Sequence, residues 1–221
     1  MEVERNLTMA FVKFKGFCKE YKENVASCLD IDFYAEQGSI TGLLGPNGAG
    51  KSTMLKAICA VHYATRGSVN VCGFTDPVQI RRVTAFVPEY PELDASLTVK
   101  EQLYFNASLY NIEKKVQKEL VDHAVESCSL EEVFTNRISS LSKGFRQRVS
   151  LAKALSANPR VLVLDEFSGG LDPEQMVKIK KMLLSLSKNK AIILSTHHIQ
   201  EAESICSSMY IMNKGRIAAF G

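Results

Sequence analysis

The residues with the clearest chemical potential are Gly45-Pro46-Asn47-Gly48-Ala49-Gly50-Lys51-Ser52, which match G-x-x-x-x-G-K-[ST] without a mismatch. Glycines at this spacing let the backbone wrap so that successive N–H groups point at phosphate oxygens. The N-terminus of a following helix adds its partial positive charge. The pattern assigns Lys51 to the β- and γ-phosphates and the Ser52 hydroxyl to Mg²⁺, with Thr53 completing the cradle. A second acidic site lies further along, where Val161-Leu162-Val163-Leu164 runs into Asp165-Glu166. Carboxylates at the end of a buried strand sit where an open α/β sheet receives its ligands. Asp165 is placed to hold Mg²⁺ through water, and Glu166 to polarise a water toward the γ-phosphate. A carboxylate base beside the phosphate favours hydrolysis over transfer to a second substrate.

These groups need a scaffold, and the hydrophobic pattern supplies one. Leu29, Ile31 and Phe33 alternate with Asp30 and Asp32, the period of a half-buried strand. Ile40 to Leu44 is a short apolar run leading into the glycine loop, and Met54, Leu55, Ile58 and Val61 repeat at helical spacing after it. Val69 to Val71 reads as another strand. Thr98 with Glu101 forms a capping box that opens a helix expected to bury Leu103, Phe105 and Leu109. Val116, Leu120, Ala124 and Cys128 continue a helical period. Val161 to Leu164 and Ala191 to Ser195 read as strands covered on both faces. Asp172-Pro173 supplies an N-cap and first-turn proline for a helix carrying Met176, Ile179, Leu183 and Leu186. Asn213-Lys214-Gly215 between two short strands predicts a hairpin. Strands alternating with helices imply a parallel α/β sheet interrupted by a helical insertion.

At 221 residues, 46% of them hydrophobic, the chain can bury the core of one domain and has no room for a second of full size. The formal charge of +3 makes no electrostatic case for nucleic acid. No apolar run approaches the ~20 residues of a membrane span, and Met1 to Asn6 lacks the features of a secretory signal, so a cytosolic chain is expected. The six scattered cysteines form no C-x-x-C pair and read as free thiols. His197 and His198 are adjacent rather than spaced for a helical metal pair.

Beyond the phosphate loop, Leu141-Ser142-Lys143-Gly144-Phe145-Arg146-Gln147-Arg148 resembles the signature of the ATP-binding cassette (ABC) ATPases, usually written LSGGQ. Gly169-Gly170-Leu171-Asp172 resembles that family's D-loop, and Ser195-Thr196-His197 with Glu201-Ala202-Glu203 its switch-histidine segment. The resemblance covers nearly the whole chain. It implies an α/β P-loop NTPase with a RecA-like parallel-sheet core, an N-terminal antiparallel β subdomain and an inserted α-helical subdomain. One domain over 1–221 is expected, with the ATP-binding core at about 1–90 and 158–221 and the helical part, carrying the signature, at about 91–157. It further implies that two cassettes pair head-to-tail, so that Ser142 and Gly144 contact the γ-phosphate of ATP bound to the partner while His197 contacts it in cis. Asp172 joins the nucleotide-binding set through the D-loop. The adenine base would stack on Tyr21, with Phe17 as the fallback.

Four positions depart from the family pattern. Glu89 follows Val87-Pro88 where a glutamine is usual. As a hard oxygen donor it is expected to ligand Mg²⁺ while adding negative charge near an anionic substrate. Lys143 and Phe145 replace a glycine and a glutamine of the signature, and Phe167 replaces a proline. The leading expectation is the Mg²⁺-dependent ATPase subunit of a transporter, resembling single-cassette subunits of exporter-like systems. It would lie on the cytoplasmic face of the membrane, with a transmembrane permease as a separate chain. In such assemblies the stretch from Tyr90 to Tyr110 contacts the partner, with Tyr90, Tyr104, Phe105 and Tyr110 as contact residues. A soluble ABC ATPase acting on ribosomes or DNA is the alternative. Its DNA-repair members carry a coiled-coil insertion, and no sustained heptads lie between Lys51 and Ser142. A phosphate-loop kinase would need neither the signature nor His197.

Overall fold

The computed structural model describes residues 10–22, 25–110, 112–169 and 172–221. Two long strands open the chain, β1 (Ala10–Lys22) and β2 (Val25–Glu36). With β4 (Arg66–Val71) they form a three-stranded antiparallel sheet in the order β2-β1-β4. The larger sheet is built from β3 (Ile40–Leu44), β5 (Thr84–Val87), β6 (Val161–Asp165), β7 (Ala191–Thr196), β8 (Ser208–Asn213) and β9 (Arg216–Phe220). Its order is β5-β6-β7-β3-β8-β9. All neighbours run parallel except the terminal hairpin of β8 and β9.

Alternation along the central strands explains why their sequences are apolar throughout. Leu162 and Leu164 of β6, with Ile192 and Leu194 of β7, face one core. Val161 and Val163, with Ala191 and Ile193, face the other. A parallel strand covered on both sides needs apolar residues at both parities. The second core is filled by Met54, Leu55 and Ile58 of helix α1 (Lys51–Ile58) and by Phe14, Phe17, Ile31 and Phe33 of the small sheet.

The first core is closed by α3 (Val99–Ser108), α4 (Lys114–Ser127), α5 (Lys143–Leu155) and α6 (Pro173–Ser187). A short α2 (Pro77–Val83) leads into β5. α3 begins at the expected capping box, with Thr98 accepting from the Glu101 N–H and the Glu101 carboxylate accepting from the Thr98 N–H. Its buried face is Val99, Gln102, Leu103, Asn106 and Ala107, a regular i, i+3, i+4, i+7, i+8 stripe. Phe105 and Leu109, expected inside, are 57% and 65% exposed. Two stripe positions are polar and neutralised by hydrogen bonds: Gln102 accepts from the Asp94 N–H, and the Asn106 amide donates to Lys153 O and Ser156 Oγ. The expected burial therefore holds for Leu103 and fails for Phe105 and Leu109. On α4 the expected period holds only in the second half: Ala124 and Cys128 are buried, and Val116 is exposed.

The predicted hairpin is the turn between β8 and β9, with Gly215 at φ 76°. No helix among the described residues is long and apolar enough to cross a membrane. All six cysteines are unpaired. Burial pushes the Cys28, Cys59, Cys128 and Cys206 thiols up to about 12.

Candidate functional site

β3 delivers the chain into the glycine loop at the carboxyl end of the parallel sheet, and α1 carries it away. Gly50 is the helix N-cap at φ 105°, and a Cβ there would lie 2.5 Å from Ser27 O. A Cβ on Gly45, at φ 153°, would run into the Met212 carbonyl. These two positions accept only glycine because other strands crowd the loop. No side chain caps α1, so the unpaired N–H groups of its first turn are available to an anion.

Lys51 is 5% exposed, and its Nζ donates to Gly45 O at 2.8 Å and Pro46 O at 3.3 Å. The same ammonium lies 3.3 Å from Glu166 Oε1, and His197 Nδ1 lies 3.2 Å from Glu166 Oε2. Lys51, Glu166 and His197 thus converge from α1, the end of β6 and the end of β7. Glu166 sits at φ 40°, in the left-handed region that a non-glycine residue enters only when its surroundings compel it. Thr196 Oγ1 and Ser168 Oγ both donate to Glu201 Oε2, at 2.8 and 3.1 Å, tying the His197 turn to the segment after Glu166.

A cleft of about 310 Å³ opens over the loop, lined by Ser27, Asn47, Gly48, Gly50, Lys51, Ser52, Thr53, Glu89 and Glu166. Asp165 lies behind it, 6% exposed, hydrogen-bonded to Ser195. The groups fit Mg-ATP on two counts. The glycine cradle leaves its helix N-terminus uncapped, and Ser52, Glu89 and Asp165 are all hard oxygen donors. Among the described residues no three His, Cys, Asp or Glu are grouped to hold a metal by themselves. Mg²⁺ taken with nucleotide phosphates does not need such a cage. Hydrogen bonding to the Glu89 carboxylate and its charge push the neighbouring Tyr90 phenol up.

Tyr21 is half exposed, and its hydroxyl lies 3.2 Å from Thr53 Oγ1. His62 packs edge-on at 5.4 Å, and Lys19 lies 5.4 Å from the ring centroid. Phe17, the fallback, is fully buried against Phe14 and is unavailable to a ligand. Ser142 caps α5 by accepting from the Phe145 N–H at 3.4 Å. Asp172 caps α6 by accepting from the Gln175 N–H at 2.8 Å. Ser142, Gly144 and Asp172 do not line the phosphate cleft, and Gly170 and Leu171 of the expected D-loop lie outside the described residues. Phe145 packs on the core and under the Arg148 guanidinium, 4.1 Å from ring centroid to carbon. Phe167 is a core residue.

Sequence reasoning missed Ser27, whose hydroxyl lies 2.8 Å from Thr53 Oγ1, and Ser195 beside Asp165. The register of β6 and β7 brings Ser195 to Asp165, and the packing of β2 near α1 brings Ser27 to Thr53; a single sequence carries no signal for either.

The family model described as ABC transporter matches residues 28–169. The chain belongs to the ABC transporter family. Among curated relatives, the Nod factor export ATP-binding protein I of Burkholderia thailandensis is 35% identical over 220 residues, covering 97% of this chain and 72% of the relative. A solved structure described as the ATP binding subunit of an ABC transporter superposes with a TM-score of 0.89 at 29% identity, covering 96% of this chain and 89% of that one. A bacterial ABC transporter cassette solved as a dimer gives a TM-score of 0.85 at 25% identity, covering 95% and 97%. The α/β P-loop fold expected from the resemblance is therefore the fold of this chain, and its family activity is ATP hydrolysis in service of transport. The ribosome or DNA alternative gains no support from these relatives.

Proposed function

We propose that the chain is the Mg²⁺-dependent, ATP-hydrolysing subunit of an exporter-like transporter and works as a dimer of cassettes docked on a separate transmembrane permease. The observation that carries this reading is the convergence of Lys51, Glu166 and His197 beside the phosphate cleft. Export is favoured by the Burkholderia relative, and pairing by the dimeric cassette neighbour. In this reading, residues 1–90 and 158–221 form the ATP-binding core, and residues 91–157 the helical part.

The loop N–H groups of Gly45 to Thr53 hold the phosphates, with Lys51 on the β- and γ-oxygens. Tyr21 offers the adenine a face. Ser52, Asp165 and Glu89 hold Mg²⁺, which when bound neutralises phosphate charge. Glu166 takes a proton from the attacking water, and His197 keeps that carboxylate oriented while sensing the γ-phosphate. Positioning and fixed charge do most of the catalytic work. Ser142 and Gly144, with Asp172 at the dimer seam, close over the partner's nucleotide. Tyr90 and Phe105 are exposed and offer apolar contact to the permease, whereas Tyr104 packs against the core.

Affinity purification of the tagged chain from detergent-solubilised membranes tests the transport role. A stoichiometric polytopic membrane protein is expected to co-purify at the cytoplasmic face. Recovery of ribosomes or DNA in its place would reject the reading.

A further inference from the structure

Asp165 and Glu166 are consecutive, but they are not held by their own strand. In the parallel register Asp165 pairs with Ser195 at the end of β7. The Ser195 hydroxyl donates to Asp165 Oδ1 at 2.5 Å and accepts from the Glu166 N–H at 3.0 Å. The Glu166 N–H also reaches Ser195 O at 3.2 Å. Ser195 is 2% exposed, so no bulk water competes for these bonds. A serine hydroxyl has one proton. Donated to Asp165, it leaves only acceptor capacity for the amide of the next residue. One buried oxygen therefore fixes the rotamer of the first carboxylate and the left-handed backbone of the second, which sits at φ 40°.

From this clamp we infer that Ser195 is a positioning residue for Mg-ATP: it sets the Asp165 carboxylate for the metal and locks the spacing between that carboxylate and the Glu166 base. The inference rests on the proposed roles of Asp165 and Glu166. A partner that orients a metal-holding group commonly changes metal affinity by 10- to 100-fold when removed. Removing the Ser195 hydroxyl leaves Glu166 its bond to the Ser195 carbonyl, so the metal side of the clamp suffers most.

The test compares Ser195→Ala and Ser195→Thr in the full chain. Equilibrium binding of a fluorescent ATP analogue is measured with EDTA and across a Mg²⁺ titration, beside kcat and KM. For Ser195→Ala, affinity in EDTA stays within about twofold of wild type, and the Mg²⁺ concentration for half-saturation rises roughly tenfold. In parallel kcat falls more than KM changes, and Ser195→Thr, which keeps the hydroxyl, restores the Mg²⁺ response. An Ser195→Ala chain with a wild-type Mg²⁺ response overturns the inference. So does one that loses affinity equally in EDTA and in Mg²⁺, because that is a general structural defect. Asp165→Asn separates the two levels: if it also leaves the Mg²⁺ response unchanged, the role of Asp165 fails. If it abolishes the response while Ser195→Ala does not, the failure belongs to the Ser195 clamp alone.

Discussion

The proposed function gives two helix N-termini a part in nucleotide chemistry, and their surroundings differ. α1 starts at an uncapped glycine beside a cleft that also contains Lys51, Glu89 and Glu166. α5 starts at Ser142, which caps the Phe145 N–H; Ser142 and Lys143 are exposed, and neither Ser142 nor Gly144 reaches the cleft. The first has the oxygen donors and the carboxylate to which the proposal gives the metal and base roles, and among the described residues that line its cleft none comes from the signature helix. The second presents a helix terminus with Ser142 as its cap and Lys143 at its first position, but it lies outside the cleft that holds Glu89 and Glu166. The two termini are complementary in the way the proposed head-to-tail pairing of cassettes requires.

The largest effect should come from the α1 side. Glu166→Gln removes the base while preserving shape, so ATP still binds, turnover falls roughly 10²- to 10⁴-fold, and the chain accumulates as a dimer in size-exclusion chromatography with ATP. Near-normal turnover would end the assignment of Glu166. Next, Ser142→Ala should leave ATP affinity of the isolated chain unchanged and cut turnover by about 10². Losing the cap costs about 1 kcal/mol of stability, seen as a small drop in Tm. Mixing Ser142→Ala chains with His197→Ala chains sharpens the contrast. If the two half-sites come from different chains, one intact composite site reappears and activity rises above that of either variant. No recovery would mean both act within one chain. The smallest effect is expected for Glu89→Gln, a shift of about two- to fivefold in the Mg²⁺ optimum, since one carboxylate among several oxygen donors is exchanged for a neutral one. An unchanged optimum would place Glu89 outside the metal's reach.

The parts of this architecture visible in the sequence are those set by local rules. The glycine loop, the capping box of Thr98 with Glu101, the Asp172-Pro173 helix start and the apolar runs of β6 and β7 each carry their reason within a few residues. On α3 Phe105 and Leu109 were misplaced because Gln102 and Asn106 take core positions by forming hydrogen bonds, Gln102 to the nearby Asp94 and Asn106 to Lys153 and Ser156, which are remote in sequence. Phe17 and Tyr21 are both aromatic residues of β1, and only burial separates them: Phe17 packs against Phe14 in the core, whereas Tyr21 stays half exposed and reaches Thr53 with its hydroxyl. The Ser195 clamp depends on β6 and β7 being neighbours in register. Spacing within one chain cannot reveal that.

The strand that delivers the phosphate loop has a further consequence. β3 lies between β7 and β8, and the Thr41 and Ser208 hydroxyls that meet across one of these seams are 167 residues apart. The loop itself is fastened from the hairpin turn, where the Gly215 N–H donates to Ala49 O at 3.0 Å. A ribosome therefore makes the nucleotide cradle early and its neighbours late. Until β7 has emerged, β3 is an apolar ribbon with two open edges, and one stays open until β8 follows; pairing over such distances in sequence is slow. Nascent chains pass through a long interval in which they can aggregate and cannot use ATP. Translation stalled before the hairpin would leave a client for chaperones rather than a weakened motor.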